Sequence, residues 1–431
     1  MTQAAPELVH WLLKLGVKFN MSGYDDVDLR NFGGQKKKRT AFAQSDTGKQ
    51  IMTAMIDAVR RKEASGMVER FSHHSFLTLR LCGNICCGCV IRDEYSQETV
   101  ELPGDAVIVA TGGMHGLFGN TTGSLSNTGE VTAELFRLGV PLANGEMIQY
   151  HPTTVKCGGK RMLISEAARG EGGRLFAMKD GKQWYFMEEK YPELGNLMPR
   201  DITAREIWKV SHESEVFLDM TEISEEIISN KLSGLADDCM TYLHKDIRKE
   251  PVSVLPGIHY FMGGILVDEQ HRTPIQNLCA AGECCAQYHG ANRLGGNSLL
   301  GALYGGRVAA KSACEQADVV DLSCATQIDF PPASQISEIK QLNKVMQETM
   351  GVVRNENTLL NGIQTVQALT GNLPLLGMAV LKSALARKES RGAHWREDYP
   401  KSNDDDYLKT TVARFDGKQI QISFVPVPER R

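Results

Sequence analysis

Apolar and polar positions along this chain fall on two periods. Leu8, Trp11, Leu12 and Leu15 recur at helical spacing between Pro6 and Gly16 and predict a first helix. Residues 45–61 predict a second, with Ser45, Asp46 and Thr47 as candidates to cap it. Four strand-like runs follow, at 76–81, 85–91, 98–102 and 105–110, with Gly83-Asn84 as the turn between the first two. The stretch 152–257 reads as mostly polar and helical, a lid over a site. Residues 254–269 return to strand, and 278–283 read as a buried strand ending on a Gly-Glu turn. From about Cys324 the period is helical again. Helices alternating with strands predict an α/β (α+β) protein with a layered sheet.

A chain of 431 residues can hold two or three domains and a large core. Lys and Arg number 48 against 52 Asp and Glu, a net charge of −4, which argues against a nucleic-acid partner. The one basic run, Lys36 to Arg39, reads as a solvated loop. No apolar run reaches the length of a membrane span. Eleven cysteines read as reduced thiols. Cys82, Cys86, Cys87 and Cys89 flank the predicted hairpin turn, and thiols on alternate strand faces do not converge on one ion, so no metal site is expected.

The chemistry concentrates in residues 289–310. Leu294, Leu299, Leu300 and Leu303 lie at helical intervals, and Gly290, Gly295, Gly296, Gly305 and Gly306 allow close backbone approach. Arg293 in a Gly-rich turn, followed by Asn297 and Ser298 at a helix start, is an anion-site pattern. An ordinary loop-to-helix junction shares part of it. Upstream, Glu283 after a buried strand suits a ribityl or ribose hydroxyl. Residues 105–113 form a second buried strand ending on Thr111, Gly112 and Gly113, where backbone can meet a cofactor.

Read together, AAGE at 280–283 and HGANRLGGNSLLGAL from His289 resemble the flavoprotein subunit of succinate dehydrogenase and fumarate reductase. The resemblance runs from about residue 7 to about residue 410. It implies FAD as cofactor, with Thr111, Gly112, Gly113, Glu130, Glu283, Asn297, Ser298 and Leu299 against it. Glu130 and Val131 stand where the family phrase carries Asp and Gly. It implies a C4 dicarboxylate, fumarate or succinate, held by His151, Ser165, Glu166, His259 and Arg293, with Ser165 replacing a usual Thr. Arg169 and Glu171 read as a structural pair. Arg200, after Pro199 at a predicted helix start, matches the family's proton-delivering arginine. A guanidinium with a pKa above about 12 is a weak acid. It suffices when the acceptor is carbanion-like, as hydride addition to an alkene dicarboxylate makes it.

Fumarate and succinate would then interconvert by hydride exchange at flavin N5. The resemblance also implies an iron–sulfur subunit, a membrane anchor subunit, and a cytoplasmic chain held at the inner face of the membrane through those partners. An L-aspartate oxidase-like enzyme is the competing enzymatic reading: PRDITARE fits it equally, the phrase after Asn292-Arg293 less well. No GxGxxG occurs in the chain. The expected organisation is therefore an incomplete two-dinucleotide-type FAD-binding domain at 1–150, a capping domain inserted at 151–257, the second part of the FAD-binding domain at 258–323, and a C-terminal helical domain at 324–431. A gene fragment, a displaced start codon and one half of a split flavoprotein are the open explanations, as is a non-catalytic fragment. The isolated chain is expected to hold FAD weakly and without a covalent bond.

Overall fold

The structure is a computed structural model that describes residues 1–427 except 25, 36, 45, 125, 287, 317–329 and 331–334. Lys36, Ser45 and Cys324 of the sequence expectations lie outside the described residues. The chain divides into two compact units. Unit 1 comprises Met1–Arg70, Tyr150–Ile258 and Leu294–Leu300; unit 2 comprises Phe71–Gln149, His259–Arg293 and Gly301–Arg431.

In unit 1 the first helix is Ala5–Lys14, with Pro6 in its first turn and Leu8 and Leu12 buried. The second, Thr47–Ala64, starts differently from expectation. Asp46 occupies the N-cap position but makes no side-chain cap bond. The Thr47 hydroxyl instead accepts the Ala43 N–H at 3.0 Å, fixing the entering loop rather than the helix.

The polar, helical reading of 152–257 is corrected. This stretch carries an antiparallel sheet of four strands, ordered Lys182–Trp184, Arg174–Lys179, Val216–Asp219, Val252–Ser253. A separate antiparallel pairing joins Ile148–Cys157 to Lys160–Leu163. Helices Arg200–Val210, Glu225–Lys231 and Ser233–Leu243 close a core that includes Ile164, Leu175, Phe186, Ile207, Val216, Leu218 and Leu235. The strands are too short for a two-residue alternation to stand out. The usable local signal was Asp180-Gly181, whose φ values of 51° and 74° make the two-residue hairpin turn between Lys179 and Lys182.

Unit 2 holds the expected meander, His74–Cys82, Ile85–Asp93 and Thr99–Pro103, turning on Gly83-Asn84. Val107–Val109 and Leu278–Ala280 pair in parallel, Val107 opposite Leu278 and Val109 opposite Ala280. Both strands therefore end on the same side, immediately before Thr111-Gly112-Gly113 and Gly282-Glu283. Helices Ile336–Thr349, Glu356–Val366 and Asn372–Ala386 match the helical period of the C-terminal part. Beyond them come a single four-residue helical turn, Asp404–Tyr407, and then a hairpin, Lys409–Phe415 with Ile420–Pro426, so the end of this part is a strand pair and not a continued helical domain. The first of its strands pairs with Leu142–Ala143, which pairs in turn with Gly264–Ile265.

Nine described cysteines are free thiols, but Cys82 is disulfide-bonded, so the expectation of eleven reduced thiols is corrected. Cys86 donates to the Gly88 carbonyl and Cys87 to that of Arg80, and burial pushes the Cys86 thiol up to about 11. Among the described residues no group of His, Cys, Asp and Glu is arranged to hold a metal ion.

Three fully buried arginines, Arg354, Arg387 and Arg396, tie the C-terminal part together. Arg387 donates to Glu146 at 2.7 Å and to Glu389 at 2.7 Å. It also donates to the carbonyls of Tyr407 and Lys409, both at 2.8 Å, and to the Thr411 hydroxyl at 2.7 Å. One guanidinium thus joins the residue after a helix to the first strand of the terminal hairpin and pairs with two buried carboxylates, one of which, Glu389, it shares with Arg391. Arg387→Ala is expected to cost about 3–5 kcal/mol, because Glu146 stays buried without its cation, while Glu389 keeps Arg391 at 2.8 Å. Urea unfolding of the whole protein would measure it, and a loss below about 1 kcal/mol would contradict the assignment.

Candidate functional site

Unit 1 centres on Glu166. Ser165 is the N-cap of the short helix Glu166–Gly170, and its hydroxyl accepts the Ala167 N–H at 3.2 Å. That cap turns the Glu166 side chain inward, where it is buried. Its Oε1 accepts the Gly33 N–H at 3.1 Å and an Arg169 Nη2 proton at 3.1 Å. Its Oε2 accepts Arg200 Nε at 3.0 Å and Nη2 at 2.7 Å. Arg200 is the first residue of the helix Arg200–Val210, after Pro199. A cation is disfavoured by the helix dipole there, and Glu166 supplies the compensation.

This corrects the expected Arg169–Glu171 pair. Arg169 binds Glu166, and Glu171 takes Lys231 at 2.9 Å. Burial pulls the Arg169 guanidinium below its ordinary value, Glu166 opposes that and Arg200 adds to it.

The sequence reading missed Gly33. A Cβ there would fall against the Glu166 carboxylate, so the Phe32-Gly33-Gly34 turn is shaped to carboxylate and backbone contact. It also missed the reason for Gly295, where a Cβ would sit 2.8 Å from Glu166 Oε2 and 2.8 Å from Phe32 Cβ. The adjacent glycines were the available signal. His151 is fully buried on the strand Ile148–Cys157, with Nδ1 3.0 Å from the Thr153 carbonyl oxygen.

Unit 2 carries two further groupings. His259, on the strand Leu255–Phe261, has its Nδ1 2.8 Å from the Thr122 hydroxyl. Arg293 is buried, with its guanidinium carbon 4.3 Å from the Tyr260 ring centroid. Gln149 Nε2 donates to the Arg293 carbonyl at 2.7 Å and to Asn292 Oδ1 at 3.0 Å, holding the loop that presents Arg293. The Ala393 N–H donates to Ala291 O at 2.9 Å and holds it from the other side. Thr122 and Gln149 were not singled out from sequence, and nothing local marks them. Burial raises the Tyr260 hydroxyl well above its usual range, so it stays protonated.

The second grouping lies at the ends of the two parallel strands. Gly113 packs on Glu283, where an added Cβ would lie 2.8 Å from Oε1. Gly112, at φ 74°, packs on the Asn127 side chain. Glu283 Oε1 accepts the Phe261 N–H at 3.0 Å and stands 3.7 Å from His115 Nε2. A half-covered carboxylate between two strand ends, beside a glycine that leaves no room for a side chain, fits a hydroxylated cofactor chain approaching the backbone. Glu130 is the first residue of the helix Glu130–Arg137, exposed, with the Thr128 hydroxyl 3.5 Å from its Oε2. Asn297, Ser298 and Leu299 open the long helix Asn297–Gln316, whose leading N–H groups suit an electron-rich ligand atom.

Residues 1–299 match the FAD binding domain family and residues 369–430 the fumarate reductase flavoprotein C-terminal family. The chain belongs to the succinate dehydrogenase and fumarate reductase flavoproteins. It is 35% identical to the succinate dehydrogenase flavoprotein subunit of Bacillus subtilis, over 100% of this chain and 84% of that one. It is 31% identical to the 8-methylmenaquinol:fumarate reductase flavoprotein subunit of Wolinella succinogenes, over 99% of this chain and 78% of that one. The quinol fumarate reductase structure from E. coli matches with a TM-score of 0.89 at 26% identity, over 99% of this chain and 83% of that one. FAD is therefore the cofactor of this flavoprotein, as the resemblance implied.

His289, four residues before Arg293, shows what burial does here. Desolvation, with Arg293 adding, pushes its imidazole down to about 3. The unfolded value is about 6.5. The neutral ring therefore contributes stability that is fully present above about pH 6.5 and is lost as pH falls toward 3. His289→Gln is expected to flatten the acid side of the stability curve, by up to about 1.4 kcal/mol per pH unit. Denaturant unfolding at a series of pH values would test this, and an unchanged slope would sink it.

Proposed function

We propose that this flavoprotein interconverts fumarate and succinate, working as the redox subunit of a larger enzyme. The observation that carries this reading is the buried array in which Glu166 stands between the guanidinium groups of Arg169 and Arg200. Adding two electrons across the alkene of fumarate requires one carbon to receive a hydride and the other a proton. Bound FAD supplies the hydride exchange at flavin N5.

The chain's own residues do the rest. Glu283, with Thr111, Gly112 and Gly113, would hold the hydroxylated part of the cofactor, and Asn297, Ser298 and Leu299 its electron-rich ring atoms. Glu130, at the start of its helix, would serve the same cofactor. His259 and Arg293 would bind substrate carboxylates by charge-assisted hydrogen bonds, with His151 and Ser165 as further polar contacts. Arg200 would hand a proton from its guanidinium to the substrate carbon opposite the hydride. Glu166 can then return a proton to Arg200, taking one from Arg169 on its other oxygen. Burial already weakens the hold of Arg169 on its proton, which favours that transfer. In the oxidation of succinate the same groups accept the proton instead.

The residues 151–257 would act as the capping domain and 258–323 as the returning part of the FAD-binding domain. Relatives are flavoprotein subunits, and we infer the same arrangement here, with an iron–sulfur subunit exchanging electrons with the flavin and a membrane anchor beyond it. Among the described residues no helix is long and apolar enough to cross a membrane. Cytoplasmic placement at the inner membrane face would follow from those partners.

Arg200→Ala in the FAD-loaded enzyme is expected to lower kcat for fumarate by on the order of 10²–10⁴, the usual worth of a positioned proton donor. Reduction of the flavin by an artificial dye should be unaffected, since no proton from Arg200 is needed for electron entry. Retention of near-normal fumarate turnover would reduce Arg200 to an ion-pair residue and remove the proposed proton path.

A further inference from the structure

The strongest observation outside the reaction itself is the bond between Thr122 Oγ1 and His259 Nδ1, 2.8 Å long and spanning 137 residues of sequence. The inference drawn from it rests on the reading of His259 as a substrate ligand. Thr122 sits in a loop that is held at several points within unit 2. Thr121 Oγ1 is 2.9 Å from His115 Nδ1 and accepts the Gly123 N–H at 3.2 Å. Gly123 lies so close on the His115 ring that a Cβ would overlap it. The Gly116 N–H donates to the Asn127 carbonyl at 3.1 Å. From the helix Ile336–Thr349, Asn343 Nδ2 donates to the Gly116 carbonyl at 2.5 Å and Gln347 Nε2 to that of Phe118. The backbone next to Thr122 is therefore tied by hydrogen bonds to His115 and to the helix Ile336–Thr349 as its hydroxyl meets His259.

We propose that Thr122 is a positioning residue that sets which nitrogen of His259 carries the proton. With Nδ1 engaged by the hydroxyl, a carboxylate is addressed by Nε2. A neutral imidazole carries one N–H, and its other nitrogen is a lone-pair acceptor. If the ring held its proton on Nδ1, Nε2 would turn a lone pair toward an anionic oxygen and repel it. A hydroxyl that donates to Nδ1 keeps the proton on Nε2, where it can donate to the substrate. A hydroxyl can also accept. When the dianion draws a second proton onto the ring, the same Thr122 oxygen turns round and takes the Nδ1–H. Nε2 carries a proton in both states, so a donor faces the carboxylate in either of them. The γ-methyl of Thr122 restricts its χ1, so the oxygen stays aimed at the ring.

The test uses the FAD-loaded enzyme with Thr122→Val, Thr122→Ser and His259→Gln side by side. Steady-state kcat and KM for fumarate are measured, together with the dissociation constant of malonate, a dicarboxylate that cannot react, from its perturbation of the flavin absorption. The nitrogen shifts of ¹⁵N-labelled His259 are assigned by their disappearance in His259→Gln. Thr122→Val should raise both KM and the malonate constant about 5- to 15-fold, the worth of one hydrogen bond. It should leave kcat within about twofold, since the bond acts on binding and not on the proton transfer. Thr122→Ser should restore binding to within about twofold, because it restores the hydroxyl. The wild-type spectrum without ligand should show a protonated Nε2 and an acceptor Nδ1, and the valine variant a mixture.

A malonate constant unchanged in Thr122→Val, while His259→Gln weakens binding, overturns the role of Thr122 and leaves that of His259 standing. An unchanged constant in His259→Gln overturns the substrate role of His259 itself. A serine variant as weak as the valine one shows that only packing is at stake. A wild-type ring with its neutral proton on Nδ1 refutes the proposal even if no variant folds.

Discussion

The site in unit 1 depends on one buried carboxylate. Glu166 is almost fully shielded from water and accepts from two arginines and a backbone amide. Desolvating a carboxylate is expensive, and the cost is offset only when each lone pair has a donor. That requirement reaches outward through the chain. It places Ser165 at the N-cap, so that Glu166 is the first helical residue. It places Arg200 at the start of another helix, where the dipole alone would disfavour it. It demands glycine at positions 33 and 295, since a side chain at either would press on the carboxylate.

Unit 2 is organised by a different constraint, the parallel pairing of Val107–Val109 with Leu278–Ala280. Two strands ending together bring Gly113 and Glu283 into contact, though they are 170 positions apart, by subtraction of their residue numbers. The loops leaving these ends are then fixed by side chains from far along the chain. Gln149 and the backbone at Ala393 hold the loop before Arg293, and Asn343 and Gln347 hold the loop that carries Thr122. The backbone just before Arg293 and near Thr122 is thus tied to the C-terminal part of the chain. The buried Arg387 ties that part to its own terminal hairpin.

Much of this was legible in the residues alone. Helical spacing near Leu8 and Leu12, the Gly83-Asn84 turn, and the strands ending at Thr111 and at Glu283 all follow from interactions between near neighbours, and the structure has each of them. The phrase around Arg293 carried the family and with it FAD and the fumarate–succinate reaction. The errors have a common physical origin. Strands of three to six residues in 174–219 give no period to read, and the hairpin 409–426 lies after a long helical run. Arg169 was matched to Glu171 by nearness in sequence, but helix geometry puts residues three apart on one face, so Glu166 takes it.

The sequence by itself determined which segments are helical or extended where the apolar period is long, which turns need glycine, and which family the chain belongs to. The tertiary structure alone decided the pairs: Glu166 with Arg200, Gln149 with Arg293, Thr122 with His259, separated by 34, 144 and 137 residues. The reason is one of range. A helical or strand period is set by neighbours a few residues away and repeats, so a sequence displays it. A hydrogen bond of about 3 Å between distant side chains occurs once and depends on the summed packing of the elements between them.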